Sequence, residues 1–363
     1  MDRWVLTIPD IAKRYYVIPH MDAYGNQFKY IGSRTTGEKG GTYVEVGPSW
    51  KGTLPANLNN ATKIQSPTNL VWIIGRILVD GPADVKNVRE IQDKITLTPV
   101  LQNATATTNT TTTPIVPTAD NIKKLGIPYF DIMSKSLANN PPPANQTYLI
   151  KKFETIGIGP GKTPSKDVTN QTIIQALKTG ISNGEKLIDE EWKNGGTIIN
   201  GWALNFKTGV YGEDYLLRAA ITKGGFGANA PQEAVYASSL ADGNGILLNA
   251  ANSTNYMIHF SPSPPVKPTG FWSITMYDKD GHLVDNPINR YTIGDRTPGL
   301  KNNTAGSLDV YLSSKNPGPT KESNWIPAPD GPFTLLLRMY VPQDIVFKVQ
   351  YQIQSVEKVV TNK

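Results

Sequence analysis

Few residues in this 363-residue chain are equipped for acid–base or metal chemistry. There are three histidines, His20, His259 and His282, and no cysteine. No H-E-x-x-H or H-x-H spacing occurs, so a histidine metal site would need all three to converge from distant segments. A G-x-S-x-G elbow is also missing. The lack of cysteine removes disulfides, thiolate metal sites, iron–sulfur clusters and cysteine nucleophiles. What remains is a set of polar residues placed among aromatics. Arg14-Tyr15-Tyr16 precedes a turn-like stretch holding Asp22, Tyr24 and Asn26, and Arg34 follows. In the last third come His259, Tyr277, Asn289-Arg290-Tyr291 and Asn324-Trp325. Tyr16, Asp22, Arg34, His259, Tyr277, Asn289, Arg290 and Trp325 would together line a polar–aromatic cleft, suited to a small molecule or a hydrolysable bond. The same residue types also lock loops through Arg–Asp pairs, and a histidine in a strand is commonly just hydrogen-bonded. The spacing names neither a nucleophile nor a general base.

Two glycine-rich stretches imitate nucleotide motifs. Gly157-Ile158-Gly159-Pro160-Gly161-Lys162-Thr163 is close to a phosphate loop, but that pattern requires glycine where Ile156 stands. Pro160 also removes a backbone donor such a loop would use. Gly225-Phe226-Gly227-Ala228-Asn229-Ala230 fits G-x-G-x-x-A by letter, yet a helical stretch precedes it and Pro231 follows, the wrong setting for a dinucleotide site. Both read as tight turns, and no cofactor or metal is expected. Asn-X-Ser/Thr occurs at Asn60, Asn103, Asn109, Asn145, Asn170, Asn252 and Asn302. These asparagines would carry glycans in an exported chain.

The elements that must position these residues are mostly short strands. Runs at 4–8, 15–18, 28–31, 43–46 and 70–77 are apolar or alternating, separated by Gly, Pro, Asn and Asp. A helix is expected over 83–93, where Val85, Val88 and Ile91 share one side. Residues 102–118 form a Thr/Asn-rich low-complexity tract. Helices are expected over 129–138, 170–192 and 214–222, and strands again over 256–260, 271–277, 307–312, 333–340 and 345–353. The 32 glycines and 28 prolines agree with many turns. The 36 basic and 30 acidic residues are scattered, so no nucleic-acid partner is expected. No apolar run approaches the roughly 20 residues of a membrane-spanning helix, so no membrane span is expected.

The first third resembles the domain of unknown function DUF1254, through Arg14-Tyr15-Tyr16-Val17, Met21-Asp22-Ala23-Tyr24-Gly25-Asn26, Gly32-Ser33-Arg34-Thr35-Thr36-Gly37 and Pro67-Thr68-Asn69-Leu70-Val71-Trp72. The last part resembles its usual partner DUF1214, through Gly270-Phe271-Trp272-Ser273, Asn289-Arg290-Tyr291 and Asn324-Trp325-Ile326-Pro327. The two false nucleotide motifs also match recurrent turns of that pair. The resemblance implies an exported protein built from β-sandwich domains with helices between them, and no established biochemical role. Relatives usually carry an upstream helical segment that is not part of this sequence.

The expected fold is mainly β: two antiparallel β-sandwich, jelly-roll-like domains joined by a helical segment. The expected division is a DUF1254-like domain over 1–101, the tract over 102–118, a helical connection over 119–200 and a DUF1214-like domain over 201–363. Two functions are expected from different classes. One is an extracellular, cell-surface or periplasmic structural protein that forms homo-oligomers or larger assemblies and carries glycans. The other is an exported hydrolase-like or small-molecule-binding protein using the polar–aromatic cleft between the two β domains. The opening residues contain no signal peptide, so export would rely on a signal lying outside this chain.

Overall fold

The computed structural model describes residues 3–100, 121–304 and 306–359. The low-complexity tract and the sequons at Asn103 and Asn109 lie outside the described residues. The chain divides into two compact units. One is Met1–Lys193 with Tyr211–Gly227; the other is Asn194–Val210 with Ala228–Lys363.

The first unit begins with alternation. In Trp4–Ile8, Leu6 and Ile8 are buried and their neighbours are not, which is the period of a strand with one face on a core. This strand pairs antiparallel with Gly41–Val46 on one side and Thr96–Pro99 on the other. Thr62–Gln65 adds a parallel edge. In the second sheet, Tyr16–Asp22 lies between Gln27–Gly32 and Val71–Ile73, and Arg76–Ile77 also pairs with it. Leu6, Ile8, Tyr43 and Ile64 of the first sheet share one core with Tyr16, Ile18 and Ile31 of the second. Two sheets closed over one apolar layer make a sandwich.

Helices follow in the same unit. Pro128–Asn139 starts with proline at its first turn, where the missing N–H costs nothing. It ends before the prolines at 141–143, which cannot continue a helix. Gln171–Asn194 is the longest helix, with 24 residues. Asn170 Oδ1 accepts the Thr172 N–H at 2.9 Å and so satisfies one of its free first-turn donors.

The second unit has a six-stranded antiparallel sheet in the order Thr292–Gly294, Val266–Asp278, Phe333–Pro342, Ala234–Ser239, Trp202–Leu204 and Thr197–Ile199. A four-stranded sheet follows in the order Trp325–Pro327, Leu308–Ser313, Tyr256–Phe260 and Val356–Lys358, with the first pair parallel. Leu335, Leu337 and Met339 alternate inward from Phe333–Pro342. They meet Ile258, Phe260, Val310 and Leu312 of the smaller sheet in one core. The fold is therefore mainly β, as expected from the sequence.

Two local expectations are corrected. Residues 345–353 do not form a strand; Asp344–Phe347 is a short helix. Ile345-Val346-Phe347 is a continuous apolar run without alternation, and a helical turn buries Val346 while leaving Ile345 exposed. The expected strand at 70–77 is split into Val71–Ile73 and Arg76–Ile77, with Ile74-Gly75 between.

Candidate functional site

The Asp22 carboxylate is spent on its own turn. Its Oδ1 accepts the N–H groups of Tyr24 and Asn26, each at 2.9 Å. The Gly25 N–H closes onto the Asp22 carbonyl, and Gly25 takes a φ of 78°. Asp242-Gly243-Asn244-Gly245 and Asp278-Lys279-Asp280-Gly281 repeat the design. Asp242 Oδ1 accepts from Asn244 and Ile246, and Asp278 Oδ1 from Asp280 and His282. Each turn needs an acceptor at its first residue and a left-handed residue three places on, which explains Asp and Gly at that spacing. In the third turn the His282 and Asp280 amides hold the Asp278 carboxyl below its ordinary range.

Tyr16 and Arg34 are the remaining expected residues of the first unit. Tyr16 is fully buried and its hydroxyl donates to the Gly37 carbonyl at 2.9 Å. Burial pushes that phenol up. The Arg34 guanidinium lies 5.2 Å from the centre of the Tyr30 ring.

In the second unit, Arg290 Nη1 donates to the carbonyls of Glu322, at 2.5 Å, Trp325, at 3.1 Å, and Ser323, at 3.4 Å. Asn289 occupies a left-handed φ of 49° beside it. Trp325 is buried, and its indole N–H donates to the Ser313 carbonyl at 2.9 Å. Asn324 Nδ2 donates to the carbonyls of Lys301 and Asp309. Asp309 is in turn the register partner of His259 in the four-stranded sheet. His259 Nδ1 lies 2.5 Å from Asp309 Oδ1, and the imidazole side chain is 48% exposed. Tyr277 is on the other sheet, where its hydroxyl accepts from Arg338 Nη2 at 3.0 Å.

Asn324 thus stands between two groups: it donates to the main-chain carbonyl of Asp309, whose carboxylate meets His259, and its chain neighbours Ser323 and Trp325 offer their carbonyls to Arg290. Tyr277 belongs to a separate cluster with Arg338 and Thr275. Tyr16, Asp22 and Arg34 are in the first unit. Sequence reasoning missed Asp309 and Arg338. Arg338 had a visible signal, since it is the charged residue in the alternating run Leu335-Leu336-Leu337-Arg338-Met339. Asp309 had none, because its partner is 50 positions away.

Residues 1–99 match the family described as protein of unknown function (DUF1254), and residues 233–344 match protein of unknown function (DUF1214). The chain belongs to the DUF1254/DUF1214 domain family. The DUF1254 match spans the strands of the first sandwich, and the DUF1214 match runs from Ala234–Ser239 through Phe333–Pro342. The crystal structure of the VPA0106 protein from Vibrio parahaemolyticus is similar, with a TM-score of 0.72 and 23% identity over 99% of this chain and 86% of that one. That likeness shows the fold. No curated protein matches the chain.

Other features of this DUF1254/DUF1214 chain bear on ligands. Among the described residues, no three His, Asp or Glu side chains cluster as metal ligands. An open groove of about 670 Å³ runs along Gln171–Asn194, lined by Gln171, Gln175, Thr179 and Asn183 among others, and includes none of the eight expected residues. Among the described residues, no helix is long and apolar enough to cross a membrane. The described sequon asparagines Asn60, Asn145, Asn170, Asn252 and Asn302 are all exposed.

Proposed function

We propose that the chain is an exported structural subunit that assembles with copies of itself outside the cytoplasm. The observation that carries this reading is the use made of Arg290. A guanidinium beside a tryptophan and an asparagine is a substrate-binding set, yet here one nitrogen holds three main-chain carbonyls together. Asp22, Tyr16 and Trp325 are likewise committed to the backbone. Polar groups used this way stiffen a scaffold. Exposure of the five described sequon asparagines agrees with glycan attachment and export. Light scattering with negative-stain imaging tests the assembly. A large closed particle or filament is expected; a monomer at high concentration overturns it. Mass measurement of native material tests the glycans.

A second reading, hydrolase-like chemistry, has one observation in its favour. Asp309 holds Nδ1 of a half-exposed His259 ring. A carboxylate-oriented imidazole is the arrangement of a general base. Ester and glycoside substrates screened against the native chain and His259→Ala would test it. Equal turnover by both removes this reading.

A further inference from the structure

Three aromatic side chains of the first unit are exposed around one short loop. Trp72 is 37% exposed, Trp192 47% and Phe226 54%. The rings of Trp72 and Phe226 stack, with centroids 4.9 Å apart and planes 14° from parallel. The loop Gly224-Gly225-Phe226-Gly227 is framed by tryptophan at both ends. A Cβ on Gly224 would lie 2.3 Å from the Trp192 ring, and one on Gly227 would lie 2.7 Å from the Trp72 ring. Gly227 also takes a φ of 78°, which favours glycine. The backbone is thus pressed against two indoles, and between these contacts lie Gly225 and the half-exposed Phe226. Gly224 and Gly227 are no more than roughly 11 Å of extended chain apart, so the Trp192 ring and the Trp72–Phe226 stack flank the two ends of one short loop.

Two cations beside the loop already have partners. Lys223, next to the loop, pairs with Asp189 of the Gln171–Asn194 helix. The Arg76 guanidinium is drawn to the Gly227 carbonyl at 3.0 Å. The available area is small. At about half exposure, and 150–250 Å² per aromatic side chain, three rings offer roughly 300 Å². A standard protein interface needs about 800 Å² per partner. The fit is to a small ring with an apolar face and a polar rim. The negative face of an aromatic ring attracts polarised C–H groups. A neutral pyranose presents such groups on one face and keeps its hydroxyls hydrated at the edge.

We propose that Trp72, Phe226 and Trp192 form a stacking subsite for a neutral polysaccharide. The site does not depend on assembly, since all three residues and the loop belong to one unit.

The test is retention of the full chain on insoluble cellulose, chitin and β-1,3-glucan, with tryptophan-fluorescence titration of the matching soluble oligosaccharides. Retention on at least one polymer is expected. Trp72→Ala and Phe226→Ala should each weaken it about tenfold or more while the chain still folds by circular dichroism, and Trp72→Phe keeps most of it. Phe226→Ser covers the case in which a tryptophan variant fails to fold, because that side chain is more than half exposed. Absence of retention on all three polymers overturns the proposal. So does retention that survives both Trp72→Ala and Phe226→Ala. Concentration-dependent self-association that is lost in Phe226→Ser, without polysaccharide retention, also overturns it and assigns the rings to a second copy.

Discussion

His20 Nε2 lies 2.8 Å from Glu45 Oε1, and neither side chain is exposed at all. The two face each other between the sheets of the first sandwich, one from Tyr16–Asp22 and the other from Gly41–Val46. They are close but off the line of a hydrogen bond, and Glu45 Oε2 has no donor among the described residues. Removing one member of such a pair strands the other in an apolar core. His20→Leu or Glu45→Leu should each cost about 3–5 kcal/mol. The double substitution should cost much less than their sum. A double-mutant cycle by urea unfolding measures this, and strict additivity would show that the pair is uncoupled.

Arg14 clamps Asp84 with two donors, and Nη2 reaches Oδ1 at 2.8 Å. The Asp80 N–H and Asn87 Nδ2 donate to the same carboxylate. The Arg14 guanidinium first, then these amides, hold the Asp84 carboxyl well below its usual range. A depressed folded value means the charged form is favoured by folding. The stabilisation is complete above the unfolded value of about 3.9 and is lost as pH falls below it. The stability gap between the native chain and Asp84→Asn should therefore be flat above about pH 5 and close below about pH 4. Denaturant titrations across that range would show it, and a gap unchanged at the acid end would refute it.

Arg290→Lys replaces a planar guanidinium seated among three carbonyls by a shorter, flexible side chain whose strongly hydrated ammonium does not reach the same place. A loss of about 1.5–3 kcal/mol is expected from charge-assisted bonds of this kind. Thermal unfolding measures it. A variant of unchanged stability would return Arg290 to the list of ligand-binding candidates.

Gly281→Ala isolates the backbone requirement of the Asp-x-x-Gly turns. Nothing lies within 4 Å of the added Cβ, and φ is +82°. The expected cost is about 1–2 kcal/mol, all of it conformational, and Gly281→Asn should recover part of it. Chemical denaturation of the two variants compares them; equal losses would argue against the conformational origin.

Much of the fold was legible wherever burial alternates along the chain. Trp4–Ile8 and Phe333–Pro342 are strands at the expected places because one side faces a core. Thr96–Pro99 left no such signal, since no residue in it is buried. It is an edge held by backbone bonds to Trp4–Ile8. The candidate site was legible in part. Asp22 lies in the expected turn, but its carboxylate faces back into that turn, a use that residue type alone does not distinguish from chemistry. Asp-x-x-Gly recurs at three places in the sequence, and its shared turn geometry emerges in the hydrogen bonds. The pairing of His259 with Asp309 depends on strand register, which spacing does not encode.

The Tyr211–Gly227 excursion bears on the order in which the protein is made. It is interrupted in sequence from the rest of its unit by Asn194–Val210, which belongs to the other unit. Its Phe226 stacks on Trp72, and its Gly227 carbonyl accepts from Arg76. A chain emerging from the ribosome would have all the strands of the first sandwich long before these contacts exist. Closure of that unit waits until residue 227 is free, by which time strands of the second unit, such as Trp202–Leu204, have also emerged. The two units are therefore interleaved in time, and cutting the chain between 193 and 211 would leave the first unit without its last piece.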